Sequence, residues 1–229
     1  MPTSLSVDEL CAYLFGAATH PVSGQCAAWM AASPRFRAFV ADHRDKIRRK
    51  VRSLRDDEGL RDLQLELDTA HRLLQERRFT LAYEQYLAGK TRGPDFTVTF
   101  KTWLRFNVEV KRLRSAPQPG RWADVICDKL DQLPPSIANV LLVATDATAA
   151  GDFDVARAMA ELRVLAERKD DEFFTRRGLA GARDYLRKVQ RLSAIVYRSA
   201  WETPDARSVL WTNPQAKHPL QHDVPLRSL

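Results

Sequence analysis

Asp95, Glu109 and Lys111 are the residues of this chain whose types and spacing best suit chemistry. They lie in GPDFTVTFKTWLRFNVEVKR, residues 93–112. Pro94 cannot donate a ladder hydrogen bond, so it suits the first position of a strand. Phe96, Val98 and Phe100 share one face of that strand, and Phe106, Val108 and Val110 share one face of the next. The turn between them is expected at Lys101 to Leu104. Antiparallel pairing then sets the start of the first strand beside the end of the second, bringing Asp95 to Glu109. Lys111, two residues further, projects from the same face as Glu109. Two close carboxylates repel each other unless a divalent cation holds both ionised. Mg²⁺, with Mn²⁺ as a substitute, takes one or two carboxylates, several waters and phosphate oxygens. It can activate a bound water for attack on phosphorus. Lys111 would add a compact positive charge that orients that water or stabilises the transition state. Singly, each residue reads better as a solvated strand position or a turn acid after Gly-Pro. The ordered set is what points to phosphodiester cleavage.

Pro-Asp, a strand, then Glu-Val-Lys resembles the signature of the PD-(D/E)XK nuclease superfamily. The resemblance covers residues 60–143, and the C-terminal strand more loosely. It implies an α/β protein with a restriction-endonuclease-like αβββαβ core and a mixed central sheet, here with an N-terminal helical extension. It implies Asp95 and Glu109 as metal ligands, Lys111 as the catalytic lysine and Glu66, on the preceding helix, as a further acid of the site. Glu66 lies among Leu63, Leu67, Leu73 and Leu74, where an exposed helix acid is an equally ordinary reading. The activity implied is a Mg²⁺-dependent endonuclease-like phosphodiesterase, with DNA rather than RNA the expected substrate. The alternative is a catalytically inactive module of the same fold that binds nucleic acid or a protein partner.

The elements that must position these residues have their own signals. Ser6 with Glu9 reads as a capping box for a first short helix. Helices are expected over 25–32 and 34–55, the second with Pro34 at its first position. Asp56, Asp57 and Glu58 suit the N-terminus of a helix over 60–76. The aromatic-rich stretch 79–86 alternates as a strand does, and 89–93 is a loop. After the hairpin, 117–120 breaks the chain and 122–133 forms an amphipathic helix. The largely apolar stretch 137–143, which contains Asn139, is expected to be a strand buried on both faces. A right-handed crossover would lay it on a mixed sheet. Helices over 152–169 and 179–190, a strand over 192–199 and an irregular tail complete the chain. Two domains are expected, a helical extension over 1–58 and the nuclease-like domain over 59–229.

A chain of 229 residues can bury a full core. Its net charge of +7 is uneven: residues 35–55 hold nine Lys or Arg against two Asp. Phe36, Val40, Ile47, Val51 and Leu54 would form the buried stripe, leaving Arg48, Arg49 and Arg52 on the outer face. Such a face is ordinarily solvated. Beside a nuclease site it becomes a track for phosphates, giving affinity without sequence readout. Arg112 and Arg114 extend positive charge beside the acids. Cys11, Cys26 and Cys127 lack CxxC spacing, which suggests a reducing compartment and neither disulfides nor zinc. Pro219 between His218 and His222 argues against a helical zinc pair. Gly89-Lys90-Thr91 ends like a P-loop, but the required first glycine is Glu84. Trp103, in the hairpin turn, is a candidate nucleic-acid contact. Acids in the first ten residues and no bilayer-length apolar run suggest a cytoplasmic protein away from membranes, its partners being nucleic acid and a second copy of the chain or another protein.

Overall fold

Side-chain caps start several of the helices. In the computed structural model, which describes residues 5–16, 20–84, 93–146, 153–203 and 206–226, Ser6 and Glu9 form the reciprocal capping box of α1 (Val7–Phe15). Ser33 caps α3 (Pro34–Asp42), with Pro34 in the first turn. Asp56 accepts from Gly59 N to start α5 (Asp57–Gln75), with Asp57 and Glu58 complementing its dipole. Between these lie α2 (Ser23–Ala32) and α4 (Arg44–Ser53). The single helix expected over 34–55 is broken at His43, whose φ of −110° and ψ of 12° leave the helical region. The His43 ring engages the Phe39 carbonyl at 2.8 Å, within the last turn of α3.

The chain divides into two compact units, 1–83 and 84–229. The first holds α1 to α5 and β1 (Phe79–Tyr83). Leu10, Met30, Phe36, Val40, Ile47, Leu63 and Leu67 are buried. Arg35 donates to the carbonyls of Leu74, at 2.6 Å, and Glu76, at 2.8 Å, and also to that of Phe79. It thereby occupies carbonyls that the end of α5 leaves without helical partners. His71 stacks on Trp29 at 5.5 Å and meets the edge of Phe36 at 5.3 Å.

Burial lowers the pKa of His71, and burial lowers that of His20 as well. Each imidazole is therefore held neutral in the fold and protonates more readily once unfolded. Their contribution to stability is complete above the ordinary value of 6.5 and is lost as pH falls through the folded values. Tm should drop as pH falls below 6.5, and His71→Gln should flatten that drop. An unchanged slope in the variant would contradict the assignment.

In the second unit, β2 (Phe96–Phe100) pairs antiparallel with β3 (Leu104–Leu113), setting Phe96 against Val108. β3 runs parallel to β4 (Ala138–Thr145), and β4 parallel to β5 (Leu192–Ser199). β6 (Arg207–Thr212) pairs antiparallel with β5. The protein is α/β, and among the described residues of the second unit β2 to β6 form one mixed, open sheet in the order β2-β3-β4-β5-β6. Four helices, α6 (Pro119–Gln132), α7 (Val155–Glu167), α8 (Asp171–Thr175) and α9 (Ala182–Val189), supply one core. There Trp122, Ile126, Met159, Phe174 and Tyr185 are clustered with Leu113, Leu141, Val143, Ile195 and Tyr197 of the strands.

Asn139 shows how β4 tolerates an amide at 0 % exposure. Its Oδ1 accepts from Asn107 at 3.1 Å, and its Nδ2 faces the carbonyls of Pro134, Ile137 and Arg191, each at 2.9 Å. A fully satisfied buried amide of this kind pins the strand register. Three elements depart from the sequence expectation. Pro119 and Gly120 open α6 rather than break the chain, because proline suits a first helical turn. Asp170 accepts from Phe173 N and starts α8. The tail supplies β6, at the end of the sheet order, with Trp211 packed against the helix-side core. Among the described residues no helix is long and apolar enough to cross a membrane.

Candidate metal centre

Asp95 stands one residue ahead of β2 and is 3 % exposed. The Val110 N–H donates to its Oδ2 at 2.8 Å. Val110 lies between Glu109 and Lys111, so the hairpin docks this carboxylate on the backbone of the Glu-Val-Lys segment. The Asp95 carbonyl accepts from Glu84 N at 2.9 Å. Glu84 has a φ of 41°, a left-handed conformation uncommon for a residue with a Cβ. Carboxylate oxygens of Glu84 and Asp95 lie within 4.8 Å of each other. An octahedral Mg²⁺ with bonds of roughly 2.1 Å separates two of its ligands by roughly 3 to 4 Å. The pair offers the oxygen donors such an ion takes.

Glu109 is 8 % exposed, and Lys129 of α6 donates to its Oε1 at 2.7 Å. Glu109 does not lie within 4.8 Å of both Glu84 and Asp95. Glu84 is an acid grouped with Asp95, and Glu109 is ion-paired with a lysine. The cause is local. A carboxylate under the helix layer is costly unless a counter-charge meets it, and Lys129 reaches down from the last turn of α6 to do so. Lys111 is half-buried on β3 beside Val143 of β4, and among the described residues it has no ion-pair partner.

Arg112 requires a correction. It was expected to meet phosphate, but its side chain is fully buried and donates to Asp146 at 2.5 Å. It alternates to the sheet face opposite Lys111, where a guanidinium must be paired internally. Trp201 Nε1 donates to the other Asp146 oxygen at 2.8 Å. Arg114 is exposed just beyond β3.

In the first unit, Glu66 is held by Lys50 at 2.5 Å and by the Tyr83 hydroxyl at 2.8 Å. Arg48 of α4 is half-buried, with its guanidinium 4.2 Å from the centre of the Tyr13 ring. Arg49 and Arg52 are exposed. Burial pushes the Cys26 thiol up to about 12 and the Cys127 thiol up to about 11. His218 engages the Pro135 carbonyl at 3.1 Å. Gly89, Lys90 and Thr91 lie outside the described residues.

Sequence reasoning missed Glu84 and Lys129. Glu84 drew notice only as the wrong residue for a P-loop. The available signal was its position at the end of an aromatic strand, one strand before the hairpin that Asp95 opens. Lys129 sits at a polar position of an amphipathic helix, and only the packing of that helix on β3 makes it a counter-ion. No family model, curated protein or solved structure matches this chain.

Proposed function

We propose that this chain is a divalent-metal-dependent nuclease that hydrolyses phosphodiester bonds, with DNA rather than RNA as the expected substrate and Glu84 and Asp95 as ligands of a Mg²⁺ or Mn²⁺ ion. The observation that carries the reading is the Asp95 carboxylate: it is seated on the backbone between Glu109 and Lys111 and has a second acid within reach of a shared ion. The run of elements from α5 to β4, helix, three strands, helix, strand, supports it. When bound, the ion supplies an activated water and neutralises charge on the phosphate. Asp95 and Glu84 would hold the ion, and the Val110 amide fixes the Asp95 carboxylate against the Glu-Val-Lys segment. Lys111 contributes positive charge toward a phosphate oxygen. Glu109 acts as a positioning residue, because its pairing with Lys129 ties β3 to α6. In the first unit, Arg49 and Arg52 offer phosphate contacts without sequence readout.

A second reading has its own support. Two of the four acids and bases expected at the site, Glu109 and Glu66, are each neutralised by a lysine. That is the arrangement of an inactive module that keeps its fold and binds nucleic acid or a protein. Incubating the chain with supercoiled, linear and single-stranded DNA and with RNA, in Mg²⁺, Mn²⁺ or EDTA, separates the two. Metal-dependent products support the nuclease. Binding without products in any arm supports the module.

A further inference from the structure

Trp103 lies at the other end of the β2–β3 hairpin from Asp95, roughly 17 Å away along a five-residue strand. At 61 % exposure it is the most exposed large apolar side chain among the described residues. The Trp103 backbone N–H donates to the Phe100 carbonyl at 3.3 Å around Lys101 and Thr102, whose φ angles are 50° and 73°. Tight hairpin turns with two positive φ angles favour Asn-Gly. Here the positions carry lysine and a β-branched threonine, so an ill-suited turn is retained and displays an indole to solvent.

The surroundings of the indole are polar and cationic. Lys101, Thr102 and Arg105 are all exposed. Among the described residues Arg105 has no ion-pair partner. Lys101 is tied to Asp223 at 2.6 Å, which brings the segment of the exposed His222 alongside. Docking to a protein or a lipid surface calls for a contiguous apolar patch. A single ring with the unpaired Arg105 two residues along the chain instead matches a nucleotide: the base stacks on the π face and the phosphate meets the charge.

We infer that Trp103 is a stacking platform for an unpaired base of a nucleic-acid strand, with Arg105 taking a neighbouring phosphate. The inference rests on the reading of the chain as a nucleic-acid enzyme, and it adds a strand contact remote from the acids. The test is fluorescence anisotropy of a labelled oligothymidylate in EDTA, with the full chain as wild type, Trp103→Ala, Trp103→Phe and Arg105→Ala. A duplex of equal length and anionic vesicles serve as further arms. Trp103→Ala should weaken single-strand binding at least about 5-fold, the effect of losing one stacked base. Trp103→Phe should retain most of the affinity, and duplex binding should change less than about 2-fold in either variant. Arg105→Ala should reduce the salt slope of single-strand binding by about 0.7.

Equal single-strand affinity for wild type and Trp103→Ala overturns the inference and leaves the nuclease reading standing. A Trp103-dependent loss confined to vesicles overturns it in favour of a membrane contact. Trp103-dependent strand binding by a chain that cleaves nothing keeps the inference and removes the nuclease. A wild-type chain that binds no nucleic acid removes both.

Discussion

Asp95→Asn lowers metal-dependent cleavage by at least roughly 100-fold, the scale of losing one designed electrostatic contact with a transition state, while the fold persists. The two halves of this expectation have separate causes. Asparagine keeps a side-chain oxygen, so the Val110 N–H retains its acceptor and the β2–β3 junction keeps its geometry. The substitution removes the negative charge that a hard cation requires. It also removes the repulsion between Asp95 and Glu84, whose oxygens lie within 4.8 Å of each other. Without metal, Tm should therefore equal or exceed that of the wild type. Cleavage assayed beside thermal unfolding in EDTA checks both halves. A variant that cleaves normally removes Asp95 from the mechanism. One that fails to fold makes its carboxylate a structural group.

Lys129→Ala has the largest expected effect on stability. Glu109 is 8 % exposed, and its Oε1 is met by Lys129 at 2.7 Å. Removing the lysine leaves a buried carboxylate without its counter-charge, a loss of about 3 kcal/mol. For a protein of this size that lowers Tm by roughly 6 to 12 °C. Replacing both partners, as in Glu109→Gln with Lys129→Met, removes the charge and its counter-charge together and should stay within about 1 kcal/mol of wild type. The double variant should also keep cleavage within about 10-fold of wild type, because Glu109 is assigned to positioning. If the single and double variants lose equal stability, the pair is not the source of the effect. If the double variant folds normally but loses all cleavage, Glu109 is a ligand after all.

The parts of the fold that could be read from sequence are those set by local periodicity and capping. Phe96, Val98 and Phe100 against Phe106 and Val108 placed the hairpin, and Ser6-Glu9 and Pro34 placed helix starts. β5 was legible because its apolar run is bounded by polar residues on both sides. β6 was not, since RSVLWT offers only Trp211 to the core and leaves Val209 47 % exposed. The break at His43 was hidden because Phe36, Val40 and Ile47 keep helical spacing straight through it.

The site divides the same way. Asp95 is seated at the Glu-Val-Lys segment by strand register, which a period of two predicts. Its neighbour Glu84 arrives from a different strand through a left-handed backbone position, which no side-chain pattern announces. Arg112 and Lys111 are adjacent in sequence and looked like one basic patch. Alternation sends Arg112 to the opposite face, where Asp146, beyond the next strand, neutralises it.

Calorimetric titration of the full chain with Mn²⁺ tests the central claim most directly. Wild type and the Glu109→Gln, Lys129→Met double variant should each show one site, and Glu84→Gln and Asp95→Asn should each lose it. Binding that survives both Glu84→Gln and Asp95→Asn, or no binding to the wild-type chain, would contradict a metal held by those two acids.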